Sequence, residues 1–136
     1  MSFEWSESLS TGIKEIDDQH KELIARINQL LDACTGKQDK EAVAGYLSFL
    51  REYVAYHFAA EERDMTQYKY PGLIAHEAEH EHFKQRVNQL YDSFRTHGAT
   101  DQILVAAIRS SGEWLVDHIH KTDKAMAAFL IKQTKT

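Results

Sequence analysis

His76 and His80, in the run His-Glu-Ala-Glu-His, are the pair around which the chain's chemistry is organised. On a helix they lie about 40° apart around the axis and roughly 6 Å along it, so both imidazoles can reach one metal ion from one face. Alone the pair is weak evidence, because exposed histidine pairs arise by chance. Three other stretches give it force. His57 and Glu61 repeat the spacing, and His20 and His118 each interrupt an apolar stripe. Glu61 is more telling than the histidine before it, since a carboxylate on a buried helix face is rare unless paired or metal-bound.

Together with Asp123 these residues amount to five imidazoles and two carboxylates. One metal does not need seven such ligands, whereas two metals bridged by Glu61 and Asp123 do. A metal held by His76, His80 and His118, with one oxygen from each carboxylate and a bridging oxide or hydroxide, is six-coordinate and closed. Its neighbour, held by His20 and His57 and the same three oxygens, is five-coordinate with one open position for a small molecule. Imidazole and carboxylate without thiolate suit iron, zinc, manganese or copper, and a six-coordinate oxide-bridged centre favours iron over four-coordinate zinc. Asp123 fits least well. It follows His118 by five residues, about 140° around an ideal helix, so spacing alone reads it as a surface charge. Only a local π-type turn near residues 118–123 would swing it inward.

The elements that must position these groups read as four helices. The apolar stripes are Ile13, Ile16, Leu23, Ile24 and Ile27; Val43, Leu47, Leu50, Val54 and Phe58; Leu73, Phe83, Val87 and Leu90; and Leu104, Ile108, Leu115, Ile119 and Met126. Their 3.6-residue period predicts helices over about 12–34, 39–66, 71–96 and 100–132, preceded by an extended arm over 1–11 with Trp5 as its anchor. A single proline, Pro71, suits long unbroken helices and a first helical turn. No stretch alternates with period two. The expected fold is all-α, an up-down-up-down four-helix bundle forming one domain over 1–136.

An internal repeat selects among the eight histidines. His20 and the Arg-x-Asn-Gln-Leu-x-Asp that follows recur from His80 at an offset of 60. The second and fourth helices match at an offset of 61, pairing His57 with His118 and Met65 with Met126. The repeat therefore prefers His80 to His82 and His118 to His120, which read as surface residues along with His97. His76 pairs with Ile16, so one half carries three histidines and the other two.

The net charge of −5 argues against nucleic acid or an anionic membrane surface as partner. No apolar run is long enough to span a bilayer, and the acidic start is not a signal peptide. One cysteine, Cys34, excludes an internal disulfide and fits a reducing cytoplasm.

Ile-Asp-Asp-Gln-His at 16–20, His-x-x-x-Glu at 57–61, His-x-x-x-His at 76–80 and His-x-x-x-x-Asp at 118–123 together resemble the hemerythrin family, in particular its single-domain bacterial members. The resemblance covers nearly the whole chain, including the arm with Trp5 and the Tyr-Pro-Gly before the third helix. It implies that all seven residues, Asp123 included, are ligands of two non-haem irons joined by an oxo or hydroxo bridge. It further implies reversible binding of molecular oxygen at the iron held by His20 and His57. The scarcity of carboxylate agrees, because a site rich in neutral imidazole stabilises high-valent iron poorly and so suits holding oxygen better than cleaving it. Ferritin-like di-iron proteins instead place Glu-x-x-His motifs on two separate helices. Here Glu77–His80 and Glu79–His82 overlap on one.

Ile24, Phe58, Trp114 and Leu115 are candidates for an apolar pocket over the open position, and Asp17, Tyr53 and Glu113 are candidate partners for the ligands' second nitrogens. The expected function is storage of oxygen, or its delivery to an oxygen-consuming enzyme, by a monomer without enzymatic activity. The rival expectations are a sensing module and a di-iron oxidase, peroxidase or nitric oxide-handling enzyme.

Overall fold

A computed structural model of the chain describes residues 3–36, 39–97 and 101–134. The helices are α1 (Lys14–Thr35), α2 (Lys40–Gln67), α3 (Leu73–His97), α4 (Asp101–His118) and α5 (Lys124–Thr134), with a π-helical turn at Ile119–Asp123 joining the last two. The expected fourth helix is thus one rod in three segments. Each rod packs on its sequence neighbours, and α1 closes the bundle against α4. Among the described residues there is no strand, and no helix is long and apolar enough to cross a membrane. Thr100, one of the two expected caps of the fourth helix, lies outside the described residues.

Local chemistry sets the helix starts. Asp39 caps α2, its carboxylate accepting the Ala42 N–H at 2.8 Å. Gly12, at φ 84, keeps the chain non-helical until Lys14. Pro71 falls in a turn after Lys69, which has φ 56, and α3 begins only at Leu73.

The arm is extended except for a 3-10 turn at Glu7–Leu9. Trp5 is half-buried against the bundle under Lys21 Nζ, but it is not the sole anchor. Leu9 is buried in the core. Phe3 exchanges two hydrogen bonds with the Asn28 side chain, at 2.8 and 2.7 Å, and its ring fills the notch left by the missing side chain of Gly112. Asp17 accepts hydrogen bonds from Ser10 Oγ, Thr11 N and Thr11 Oγ1, tying the end of the arm to the first turns of α1.

The interior divides into two apolar clusters. The larger includes Leu23, Ile27, Leu47, Val54, Phe58, Phe83, Ile108 and Leu115. The smaller is Ile16, Met65, Met126 and Leu130. The buried histidines and carboxylates fall between members of the two clusters: His20 between Ile16 and Leu23, His57 and Glu61 between Val54 and Met65, His118 and Asp123 between Leu115 and Met126. The bundle therefore closes apolar layers above and below one polar layer.

Candidate metal centre

Seven polar side chains occupy that layer, and each is at most 2 % exposed: His20, His57, Glu61, His76, His80, His118 and Asp123. They fall into two overlapping groups. Glu61, His76, His80, His118 and Asp123 present ligand atoms within 4.8 Å of one another, as do His20, His57, Glu61 and Asp123. The carboxylates are common to both. Glu61 Oε2 faces His57 Nε2 at 2.9 Å and His20 Nε2 at 3.3 Å, while Oε1 faces His80 Nε2 at 3.1 Å and His76 Nε2 at 3.3 Å. Asp123 Oδ2 lies 2.9 Å from His20 Nε2, and Oδ1 lies 3.0 Å from His76 Nε2 and 3.3 Å from His118 Nε2.

Asp123 reaches the layer through the π turn at Ile119–Asp123, the irregularity that its spacing from His118 requires. The wider turn adds one residue, which carries position 123 onto the face an α-helix would give to position 122.

The donor set fits metal ions. His57 Nε2, His76 Nε2, His118 Nε2 and both Asp123 oxygens are buried without a hydrogen-bond partner, although oxygen and nitrogen lie near 3 Å apart. The atoms are close but not aligned as donor and acceptor, as expected when lone pairs converge on a shared cation. Leaving five such atoms unsatisfied would cost roughly 1–3 kcal/mol each, comparable in sum to the whole stability of a small domain. Coordinating a cation removes that cost.

In the metal-free chain three of the imidazoles are pushed toward the protonated form instead. Burial opposes protonation of His20 and His76, but the Asp123 and Glu61 carboxylates outweigh it and raise both to about 9. His118 is raised for the same reason, with Glu79 contributing. Burial works against ionisation of Glu61, yet His57, His20 and His76 hold it well below the usual carboxylate range. Asp123 is likewise lowered by His118, His20 and His76, against both burial and the Glu61 charge.

Three of the five second ring nitrogens find partners, none of which the sequence reading named. His57 Nδ1 pairs with Gln19 Oε1 at 2.6 Å, His80 Nδ1 with Glu62 Oε2 at 2.8 Å, and His118 Nδ1 with Glu79 Oε1 at 2.8 Å. Each partner stands next to a layer residue in sequence, at 19, 62 and 79. That places it about 100° around the helix, where it looks across to the neighbouring helix. This adjacency was the available signal. The three candidates named from sequence do other things. Asp17 holds the arm, Tyr53 lies under the Arg26 guanidinium, and Glu113 is exposed.

The four pocket candidates separate as well. Phe58 stacks on the His80 ring, with centroids 3.8 Å apart, and Trp114 stacks on His118 at 4.9 Å. Both therefore brace the three-imidazole group. Ile24 and Leu115 are buried in the large apolar cluster. His82 and His120 are exposed, and the His97 side chain lies outside the described residues.

Residues 11–130 match the family model of the hemerythrin HHE cation binding domain. A bacteriohemerythrin of Pseudomonas aeruginosa is 35% identical over 119 residues, covering 88% of this chain and 75% of that protein. A bacteriohemerythrin of Methylococcus capsulatus is 34% identical, with 84% and 85% covered. Among solved structures, a wild-type hemerythrin superposes with a TM-score of 0.86 at 29% identity, over 94% of this chain and 97% of the other. With the cation-binding family model spanning nearly all of the bundle and its buried His/Glu/Asp layer, the chain belongs to the hemerythrin family.

Proposed function

We propose that this chain binds molecular oxygen reversibly at a non-haem di-iron centre, as a cytoplasmic monomer that stores oxygen or delivers it to an oxygen-consuming enzyme. His76, His80 and His118 would hold one iron and His20 and His57 the other, with Glu61 and Asp123 common to both groups. The observation that carries the reading is the unequal division of imidazoles around two shared carboxylates, three in one group and two in the other. The poorer group leaves room for an exogenous ligand. When bound, such an iron pair would supply the reversible two-electron chemistry that oxygen binding requires.

The protein's own residues account for the rest. Glu61 and Asp123 remain ionised and neutralise positive charge in the layer. Gln19, Glu62 and Glu79 orient three of the rings through their Nδ1 atoms. Ile24 and Leu115 belong to the apolar cluster that keeps water from the layer, which favours release of intact oxygen over its reduction.

Anaerobic titration of the ferrous-loaded chain with oxygen, followed by deoxygenation over several cycles, tests the proposal. Uptake of one oxygen per two irons, with the spectrum restored on release, is the expected result. Sustained oxygen consumption with a reductant would replace the carrier with a di-iron enzyme.

A further inference from the structure

Glu79 stands between His76 and His80 on α3 and is not itself in the metal layer. Its carboxylate nevertheless joins two parts of the opposite rod. Oε1 pairs with His118 Nδ1 at 2.8 Å and accepts from Thr122 Oγ1 at 2.9 Å, and Oε2 lies 3.2 Å from the same hydroxyl. His118 immediately precedes the π turn, and Thr122 is its penultimate residue, next to Asp123.

A π turn is rare inside an α-helix, so one that persists calls for an interaction that holds it. In this rod the groups at either end of the turn converge on a single carboxylate from another helix. Relaxing 119–123 to α geometry would rotate Thr122 toward the layer and carry Asp123 away from it. Such a rotation would break the contact with Glu79.

We propose that Glu79 is a positioning residue that clamps the π turn through Thr122, and so presents Asp123 to both metal positions while fixing the His118 ring. The proposal rests on the ligand reading above only for its consequence on iron. The clamp itself is a property of the metal-free chain. A charge-assisted hydrogen bond has the strength to hold the register, and its loss leaves the turn free to sample the α form.

The test uses Thr122→Val, which keeps shape and removes the hydroxyl, Thr122→Ser, which restores it, Glu79→Ala, and the double variant. Amide hydrogen exchange over residues 119–127 of the metal-free chain reads the clamp directly. Thr122→Val should exchange about tenfold faster than the parent across the turn, with Thr122→Ser close to the parent. The double variant should be no faster than Glu79→Ala alone, because Glu79→Ala already removes the contact that Thr122→Val removes. In the iron-reconstituted chain, Thr122→Val should retain less than two irons. Parent-like exchange in Thr122→Val, or additive effects in the double variant, would overturn the clamp. A parent chain that took up no iron would instead sink the di-iron reading and leave the exchange result standing.

Discussion

The two halves of the bundle solve one problem in two registers. In α2 the helix is regular, so Glu61, four residues after His57, enters the polar layer, and Glu62 points sideways to His80 Nδ1. At the repeat's offset of 61, Glu61 corresponds to Thr122 and Glu62 to Asp123. The π turn exchanges their tasks: Asp123 enters the layer and Thr122 points sideways to Glu79. The same backbone position is thus a supporting carboxylate in one half and a candidate ligand in the other.

The exchange has a cost that the structure displays. Glu62 supports His80, and the two-fold relation gives Asp123 the corresponding duty toward His20. With Asp123 turned inward, His20 Nδ1 is buried without a hydrogen-bond partner among the described residues. A second difference lies at the offset of 60, where Gln19 supports His57 with a neutral amide and Glu79 supports His118 with a carboxylate. The three-imidazole side therefore has two rings backed by carboxylates, and the two-imidazole side has none. Rings backed by carboxylates are stronger donors, so the two candidate metal positions would differ in electron supply as well as in the number of imidazoles.

Removing the two bridging candidates in turn gives the sharpest break in this comparison. Glu61 approaches four imidazoles and Asp123 three. Glu61→Ala should therefore lose most of the iron, and Asp123→Ala should lose somewhat less, as measured by metal analysis of reconstituted protein. Near-parental iron content in Glu61→Ala would remove it from the ligand set, and a greater loss in Asp123→Ala would reverse the ranking of the halves.

A smaller effect should appear in the pH dependence of stability. His20 in one half and His76 in the other are raised to about 9 in the metal-free chain, above an ordinary value of 6.5. Between those values the folded chain holds protons that the unfolded chain has released, so stability falls as pH rises through this window. Thermal unfolding of the metal-free protein should show Tm declining from about pH 6.5 to 9. The iron-loaded protein should lack that decline, because ligation requires neutral imidazole, and it should instead lose iron as pH falls. Parallel profiles for the two forms would mean that the imidazoles do not exchange protons for metal.

The smallest expected change is electronic. Gln19→Glu would give His57 the carboxylate that His118 already has, with little change of shape. The reduction potential of the loaded centre should fall, by on the order of tens of millivolts in a redox titration. An unaltered potential would show that the amide and the carboxylate differ only in how they hold the ring.

The number and type of helices were legible in the sequence because amphipathic periodicity is a local property, and so was the choice of His20, His57, Glu61, His76 and His80 as inward residues. Asp123 was different. Its spacing pointed to solvent, and only the family resemblance favoured the layer, since no sequence rule says whether a helix will accept a π turn. That is decided where Glu79, on another helix, meets His118 and Thr122. Tertiary structure likewise chose Gln19 and Glu62 as ring partners, and set Phe58 and Trp114 against the three-imidazole group. The physical reason is the same in each case. Periodicity tells which way a side chain points from its own axis, but what it meets depends on the rotation and axial offset of the helix packed against it.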